Sequence, residues 1–423
     1  MIRQRFYILF FIPMLTACLE SPEMTIGIVN GKEMPTVLTE NENPFHSDGY
    51  LFFQGKIMSE GKGEIFERGF CWSIDSNSPT MDDNIVISTG DTDVFSYELE
   101  NISGDTIYYW RAFARNIHGY DYGKVQSCRT PKIWEAKEPL NAWSRGRGAV
   151  FTLNDKIYMT CGEYSGSGRI PVNETWEYSI TSNRWRQTAS FAGDYRIDPV
   201  VFTIGNFAFV GTGRNGAGTH KDFYQYDITL DKWTKIDTPG DLEAGYQAVA
   251  FSLNGKGYVI GGFSPRGRFN DVWQYNADNG FWKRMGNFPV DFYGGISISD
   301  NNQVFAGFGI TSESARILWK YDEENDSWSE FVKLSDEVVK SIYSGVIIRN
   351  TIYIVDENNT IWACDISRET KTWTKKADLP SEFFNEFGEV INQQLLTIDN
   401  SNSIYVGLGD SNFLYEYRPL WNN

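Results

Sequence analysis

The 423-residue sequence predicts an all-β chain, a small antiparallel β-sandwich followed by a six-bladed β-propeller. Three observations carry that prediction. First, Trp185, Trp233, Trp282, Trp328 and Trp373 recur at intervals of 48, 49, 46 and 45 residues. Repeats of this period belong to units that cannot bury their apolar faces alone and must stack around an axis. The first four lie nine residues after another large aromatic, Trp176, Tyr224, Trp273 and Trp319, whereas Trp373 follows Trp362 by eleven. Second, a sixth unit runs from near Gly388 through Ile404-Tyr405-Val406 to Leu414-Tyr415-Glu416-Tyr417 and lacks its tryptophan strand. Upstream, Trp134-Glu-Ala-Lys-Glu-Pro-Leu reads like the segments that begin at Trp282 and Trp373. A strand near residue 134 is therefore expected to complete the last blade and leave no open edge. Third, no long stretch has helical periodicity, and 16% aromatic residues with 39 glycines suit short strands joined by tight turns.

Residues 1–17 read as an export signal. Arg3 and Arg5 precede an apolar run from Phe6 to Ala17, too short for an ordinary membrane-spanning helix and ending in small residues. Leu15-Thr16-Ala17-Cys18 resembles the bacterial lipobox. That resemblance implies removal of the signal and lipidation of Cys18, so that the membrane is reached through the lipid anchor only. Glu20 and Glu23 resemble the acidic signal that directs some Gram-negative lipoproteins to the outer leaflet, and imply a surface-exposed outer-membrane protein. Loss of Arg3 and Arg5 takes the formal charge from −17 to −19. Such a body repels nucleic acid and anionic headgroups, which excludes both as partners. Four cysteines remain, Cys71, Cys128, Cys161 and Cys364, with no C-x-x-C pair and no metal-ligand spacing. All four are expected as free buried thiols.

Residues 18–131 comprise the lipidated N-terminus and the sandwich. Alternating runs at Tyr50–Ile57, Glu67–Ser73, Ile85–Ser88, Phe95–Leu99, Tyr108–Ala114 and Lys124–Arg129 suggest its strands. The segment from Ile102 through Tyr108-Tyr-Trp-Arg-Ala-Phe-Ala-Arg-Asn116 to Gly119 resembles the E–F corner and F strand of a fibronectin type III domain. The resemblance implies an Ig/fibronectin III-like sandwich in which the Tyr108 hydroxyl bonds back to the backbone. Residues 65–73 are similar to the C strand of bacterial surface versions. Nothing catalytic stands out here, and the expected task is to space the propeller from the membrane.

Residues 132–423 repeat a four-part pattern. An inner strand comes first, as in Gly148-Ala-Val-Phe-Thr-Leu, Val200-Val-Phe-Thr-Ile and Ala248-Val-Ala-Phe-Ser-Leu. A tight turn such as Asn154-Asp155 or Asn254-Gly255 follows. The second strand centres on Tyr158, Phe209, Tyr258, Phe305, Tyr353 or Tyr405, and four residues later stands Gly162, Gly213, Gly262, Gly309, Glu357 or Gly409. Glycine there lets inner strands approach where blades converge. Blade three, with Gly261-Gly262, Asn270-Asp-Val-Trp273-Gln-Tyr275 and Trp282, resembles the kelch repeat, so the region is identified as a degenerate six-bladed kelch propeller of the galactose oxidase-like superfamily.

In such blades, the connections between strands two and three and those leading to the next blade share one face, where binding tends to reside. The distance from glycine to third-strand aromatic is 14, 11, 11 and 10 residues in blades one to four, and about five and six in blades five and six. The rim is therefore expected to be lopsided. Its candidate ligand residues are Arg147, Arg169, Arg196, Arg214, Tyr246, Arg266, Arg268, Tyr293, Arg316 and Tyr343, with Tyr195 nearby. Arginine forks and aromatic platforms suit an acidic sugar or a carboxylate-bearing peptide. Catalytic sets are scarce: His46, His118 and His220 are the only histidines, no G-x-S-x-G elbow or P-loop occurs, and copper chemistry of the galactose oxidase kind lacks its ligands. Neither metal nor cofactor is expected, and Asp322-Glu-Glu-Asn-Asp326 reads as a hairpin cap. The leading expectation is a non-catalytic binder of a glycan or extracellular protein. The alternative is a sugar-active enzyme similar to the sialic acid mutarotase (N-acetylneuraminate epimerase), with Glu163 or Glu243 working beside Arg147, Arg196 or Arg214.

Overall fold

The structure, a computed structural model, describes residues 33–40, 44–46, 50–89, 92–100, 102–164, 170–300, 302–310, 316–338, 341–383, 394–397, 403–409 and 411–419. The export signal, Cys18, Glu20, Glu23, Arg169 and Gly388 lie outside these residues. The chain divides into two compact units, Met1–Ile133 with Leu420–Asn423, and Trp134–Pro419. Among the described residues the regular structure is strand, apart from one 3-10 turn at Ser381–Phe383.

In the first unit, one sheet holds Thr36–Glu40, Phe45–His46, Tyr50–Ser59 and Val94–Leu99, and the other holds Glu67–Ser73, Asn84–Ile87, Ile107–Asn116, Gly119–Tyr122 and Gln126–Arg129. Strand alternation sends Leu51, Phe53 and Ile57 from one sheet against Phe70, Trp110 and Ala112 from the other. Phe53 stacks on Trp110 with ring centroids 4.9 Å apart. The Tyr108 hydroxyl accepts the Ser103 N–H at 2.8 Å. Asn116 ties the far end together, donating to the Glu33 and Glu60 carbonyls and accepting the His118 N–H. Cys71 and Cys128 sit on strands that flank Ile107–Asn116, and both are free and buried, as are Cys161 and Cys364. Burial pushes the Cys71 thiol up to about 11, so it is inert at neutral pH.

Among the described residues the second unit holds two short two-stranded sheets, Arg145–Gly146 with Glu163–Tyr164 and Arg214–Asn215 with Gly218–Thr219, and six four-stranded antiparallel ones. Their inner strands, Ala149–Leu153, Val200–Ile204, Val249–Leu253, Ile296–Ser299, Ile342–Ile348 and Gln394–Thr397, neighbour one another in chain order, and the last returns to the first. In the sixth sheet Trp134–Ala136 pairs with Leu414–Tyr417, Trp134 opposite Tyr417, so the two ends of the propeller segment close the ring within one blade.

The tryptophan period has two causes. Across each outer hairpin, Trp185, Trp233, Trp282 and Trp328 face Tyr178, Tyr226, Tyr275 and Tyr321. The direct partner is thus the tyrosine seven residues back, not the aromatic nine back. The indole N–H then reaches the connection leading out of the adjoining blade: Trp185 to the Glu138 carbonyl, Trp233 to Ala189, Trp282 to Asp237 and Trp373 to Lys333, at 2.8, 2.9, 3.0 and 3.1 Å. Turn residues Asn183, Asp231 and Asp326 complete the clamp. Each accepts the hydroxyl of Tyr178, Tyr226 or Tyr321 and the N–H of Glu138, Ala189 or Gly286. Asp322 caps its own hairpin through the N–H groups of Glu324 and Asn325.

Two further sets of bonds step around the inner edge. Gly162, Gly213 and Gly262 donate to the Arg196, Gly245 and Phe292 carbonyls of the next blade, at 2.9, 2.8 and 3.0 Å. Their φ values are +90°, +90° and +127°, and a Cβ on Gly162 would lie 2.5 Å from the Gly146 carbonyl. Only glycine fits both demands. Arg147, Asp198, Gln247 and Gly294 occupy equivalent left-handed positions before their inner strands, and each N–H of the last three donates to the preceding member's carbonyl.

Candidate ligand-binding face

The entries to the inner strands and the loops after the second strands lie at one end of the blades, where short bridges join them: Arg145 with Tyr164, Ile197 with Arg214, Tyr246 with Phe263, and Tyr293 with Ile310. Blade three raises a continuous hairpin, Lys256–Ser264 with Gly267–Asn276, whereas blade five turns directly from Thr351–Asp356 into Thr360–Asp365.

At the inner edge, Arg147 forks onto Asp198, with Nε donating to Oδ1 at 2.8 Å and Nη2 to Oδ2. Its Nη1 lies 3.5 Å from Glu163, and Arg214 Nε is 3.8 Å from Asp198. The Asp198 bonds raise the Arg147 pKa and fix its charge. Two guanidinium groups and two carboxylates thus balance one another, so Arg147 is not a ready clamp for a ligand carboxylate. Arg214 lies over the Tyr246 ring at 4.5 Å, Tyr246 is 5.6 Å from Phe263, and Phe263 is 5.0 Å from Tyr293. These four side chains form a continuous track across blades two to four. Beside it Tyr195 and Ile310 are about half exposed, and in blade one Trp143, 74% exposed, lies 6.4 Å from the Tyr164 ring. Arg266 and Arg268 are exposed on the blade-three hairpin, Arg266 at 3.2 Å from Glu243.

Two predicted ligand residues are spent inside the scaffold. Arg196 has no exposed surface; its Nη1 donates to the Thr212 carbonyl at 3.0 Å and to Asp222 at 2.8 Å, and it packs over Phe191. Burial alone would raise the Asp222 pKa, but the Arg196 bond outweighs it and the net shift is down. Arg316 binds the carbonyls of Ser335 and Val338 and holds the 334–338 loop. Burial closes Arg196 off from any ligand, and Arg316, half-buried, spends its Nη2 on the loop carbonyls. Tyr343 is half-buried at the irregular entry of blade five. His220 has its pKa lowered, by burial first and by Arg196 second, and is neutral at pH 7. No group of three or more His, Cys, Asp or Glu able to hold a metal occurs among the described residues, and no helix there is long and apolar enough to cross a membrane.

Phe263 and Trp143 were missed from the sequence. Phe263 had a signal: it follows Gly262 as Glu163, Arg214 and Ile310 follow Gly162, Gly213 and Gly309, all at the same facing position. Trp143 stands before the first blade, where no preceding repeat shows its register.

No family model matches the chain. Kelch-like protein 23 of Homo sapiens is 25% identical over 251 residues, covering 58% of this chain and 42% of its own length. An F-box/kelch-repeat protein of Arabidopsis thaliana is 27% identical over 164 residues, 38% of this chain and 44% of that one. The chain thus spans less than half the length of these relatives. The solved structure of YjhT aligns with a TM-score of 0.51 at 14% identity, over 67% of this chain and 95% of its own. The second unit is a kelch-type β-propeller.

Proposed function

We propose that this is an exported, lipid-anchored surface protein whose kelch propeller holds a glycan or protein ligand on its loop face without transforming it. The observation that carries the reading is the Arg214–Tyr246–Phe263–Tyr293 track, with the exposed Tyr195 in the same blade as Arg214. Tryptophan, tyrosine and arginine are the side chains that dominate binding energy at recognition surfaces, and aromatic faces also suit the apolar faces of sugar rings. Kelch relatives support a binding role, and the Tyr108 hydroxyl bond supports a fibronectin III-like spacer. Glycan-array screening of soluble Ser21–Asn423 tests the reading. Binding that Tyr246→Ala and Tyr293→Ala each weaken at least tenfold upholds the track as the site. A blank array on folded protein removes the glycan and leaves a protein ligand, sought by crosslinking from the Trp143 position.

A sugar-active enzyme of the mutarotase type is the second reading. It is favoured by Glu163, a buried carboxylate 3.5 Å from Arg147 at the inner edge. Anomer exchange of sialic acid by the wild type, abolished in Glu163→Gln, decides it.

A further inference from the structure

The internal repeat exposes a substitution at the seam between blades two and three. Arg145, Arg196 and Gly245 stand at one equivalent position, two residues before the left-handed Arg147, Asp198 and Gln247. Glu174, Asp222 and Asp271 stand at another, two residues before Trp176, Tyr224 and Trp273. In blades one and two the buried arginine meets its acid, Arg145 with Glu174 at 2.6 Å and Arg196 with Asp222 at 2.8 Å. Blade three keeps the acid and lacks the arginine. Phe269 fills part of the space, its ring 2.8 Å from where a Gly245 Cβ would sit, and Asp271 pairs with Arg284.

What remains is a cavity of about 10 Å³ lined by Thr212, Glu243, Gly245, Phe269, Asp271 and Trp273. Two of its lining residues, only 3% and 6% exposed, carry side-chain polar atoms with no protein partner: Thr212 Oγ1 and Trp273 Nε1. In blade one the corresponding indole N–H, of Trp176, donates to Glu174 at 3.2 Å. We infer that this slot is a binding site for one ordered water molecule, which accepts the Trp273 indole proton, bonds the Thr212 hydroxyl and donates to a carboxylate of Asp271 or Glu243. The volume admits one water and excludes a guanidinium, and Thr212, Trp273, Asp271 and Glu243 are the lining residues whose polar groups such a water would bond. An unsatisfied indole N–H and hydroxyl would otherwise cost more than immobilising the water.

A crystal structure of Ser21–Asn423 at about 2 Å resolution tests the site directly. The expected result is a solvent peak within hydrogen-bond distance of both Trp273 Nε1 and Thr212 Oγ1, and a slot without density overturns the proposal. In solution, the indole resonance assigned to Trp273 should show magnetisation transfer from a long-lived water. Thr212→Val, which keeps the side-chain shape, should reduce that transfer at least twofold with the circular-dichroism spectrum unchanged. Transfer that is absent in the wild type, or unaltered in Thr212→Val, counts equally against it.

Discussion

Glu416→Gln should loosen the closure of the propeller, and the charges around it set the magnitude. Glu416 lies in the last strand directly opposite Glu135, so the ring closes on two like charges that would repel. Lys137 reverses this, bridging Glu135 at 2.9 Å and Glu416 at 2.7 Å, while Arg418 reaches both carboxylates. Burial alone would raise the Glu416 pKa, but hydrogen bonds from Arg418, Lys137 and Ser403 outweigh it and hold it at about 2, against an ordinary 4.5. At about 1.4 kcal/mol per tenfold change in proton affinity, that drop corresponds to a ceiling of about 3 kcal/mol. Arg418 is half exposed and its share is screened, so about 2 kcal/mol is the expected loss in the variant at pH 7. Because the folded pKa is depressed, this stability is present above pH ~4.5 and disappears as pH falls toward ~2. Urea unfolding of Ser21–Asn423 followed by tryptophan fluorescence should show wild type and variant converging over that window. A variant within about 0.5 kcal/mol of wild type at pH 7, or a gap that persists unchanged to pH ~2, would refute the reasoning.

Other parts of the ring give independent tests. Trp233→Phe loses the bond to the Ala189 carbonyl and should cost about 1 kcal/mol more than Trp328→Phe, whose indole N–H has no partner to lose; urea midpoints of the two variants decide. Gly213→Ala forces a Cβ to 2.8 Å from the Ile197 carbonyl at φ +90° and should destabilise by about 1–3 kcal/mol, whereas Gly240→Ala meets nothing within 4 Å and should be near neutral in thermal unfolding. Arg196→Ala leaves Asp222 only the Lys235 ammonium at 3.9 Å and opens a buried gap, and should cost about 3 kcal/mol, while Arg266→Ala, at a side chain 85% exposed, should leave stability within about 0.5 kcal/mol.

The ring was readable because it is written several times over. A single tryptophan says little, but five at one period, plus Trp134 out of place, constrain blade number and closure together. Side-chain allegiance was not readable in the same way. Arg147, Arg196 and Arg214 look alike in sequence, yet one forks onto Asp198, one is sealed under Phe191, and one lies over Tyr246. The acids that decide between these fates, Asp198 and Asp222, come from the next blade or from the far side of a loop, at separations no short motif records. Arg316 differs again, because the carbonyls it holds belong to an irregular loop with no counterpart in other blades.

Repetition also separates scaffold from function. Where a position does the same mechanical work in each blade, its chemistry recurs: glycine at 162, 213 and 262, and a hydrogen-bonding turn residue at 183, 231 and 326. The position after the glycine is glutamate, arginine, phenylalanine and isoleucine in blades one to four, though its backbone bridges to the neighbouring entry in blades two to four. Backbone geometry there is retained while the side chain is released from structural duty, so its identity is free to serve a ligand. Glu163 is the exception, buried beside Arg147, so Arg214, Phe263 and Ile310 are the positions at which altered specificity should be obtainable without loss of fold. Exchange of Phe263 for leucine is the mildest such change: it keeps the apolar contact with Tyr246 and Tyr293 but removes the aromatic face. Lost binding with unchanged unfolding in that variant would assign the track to recognition; parallel loss of both would return it to the core.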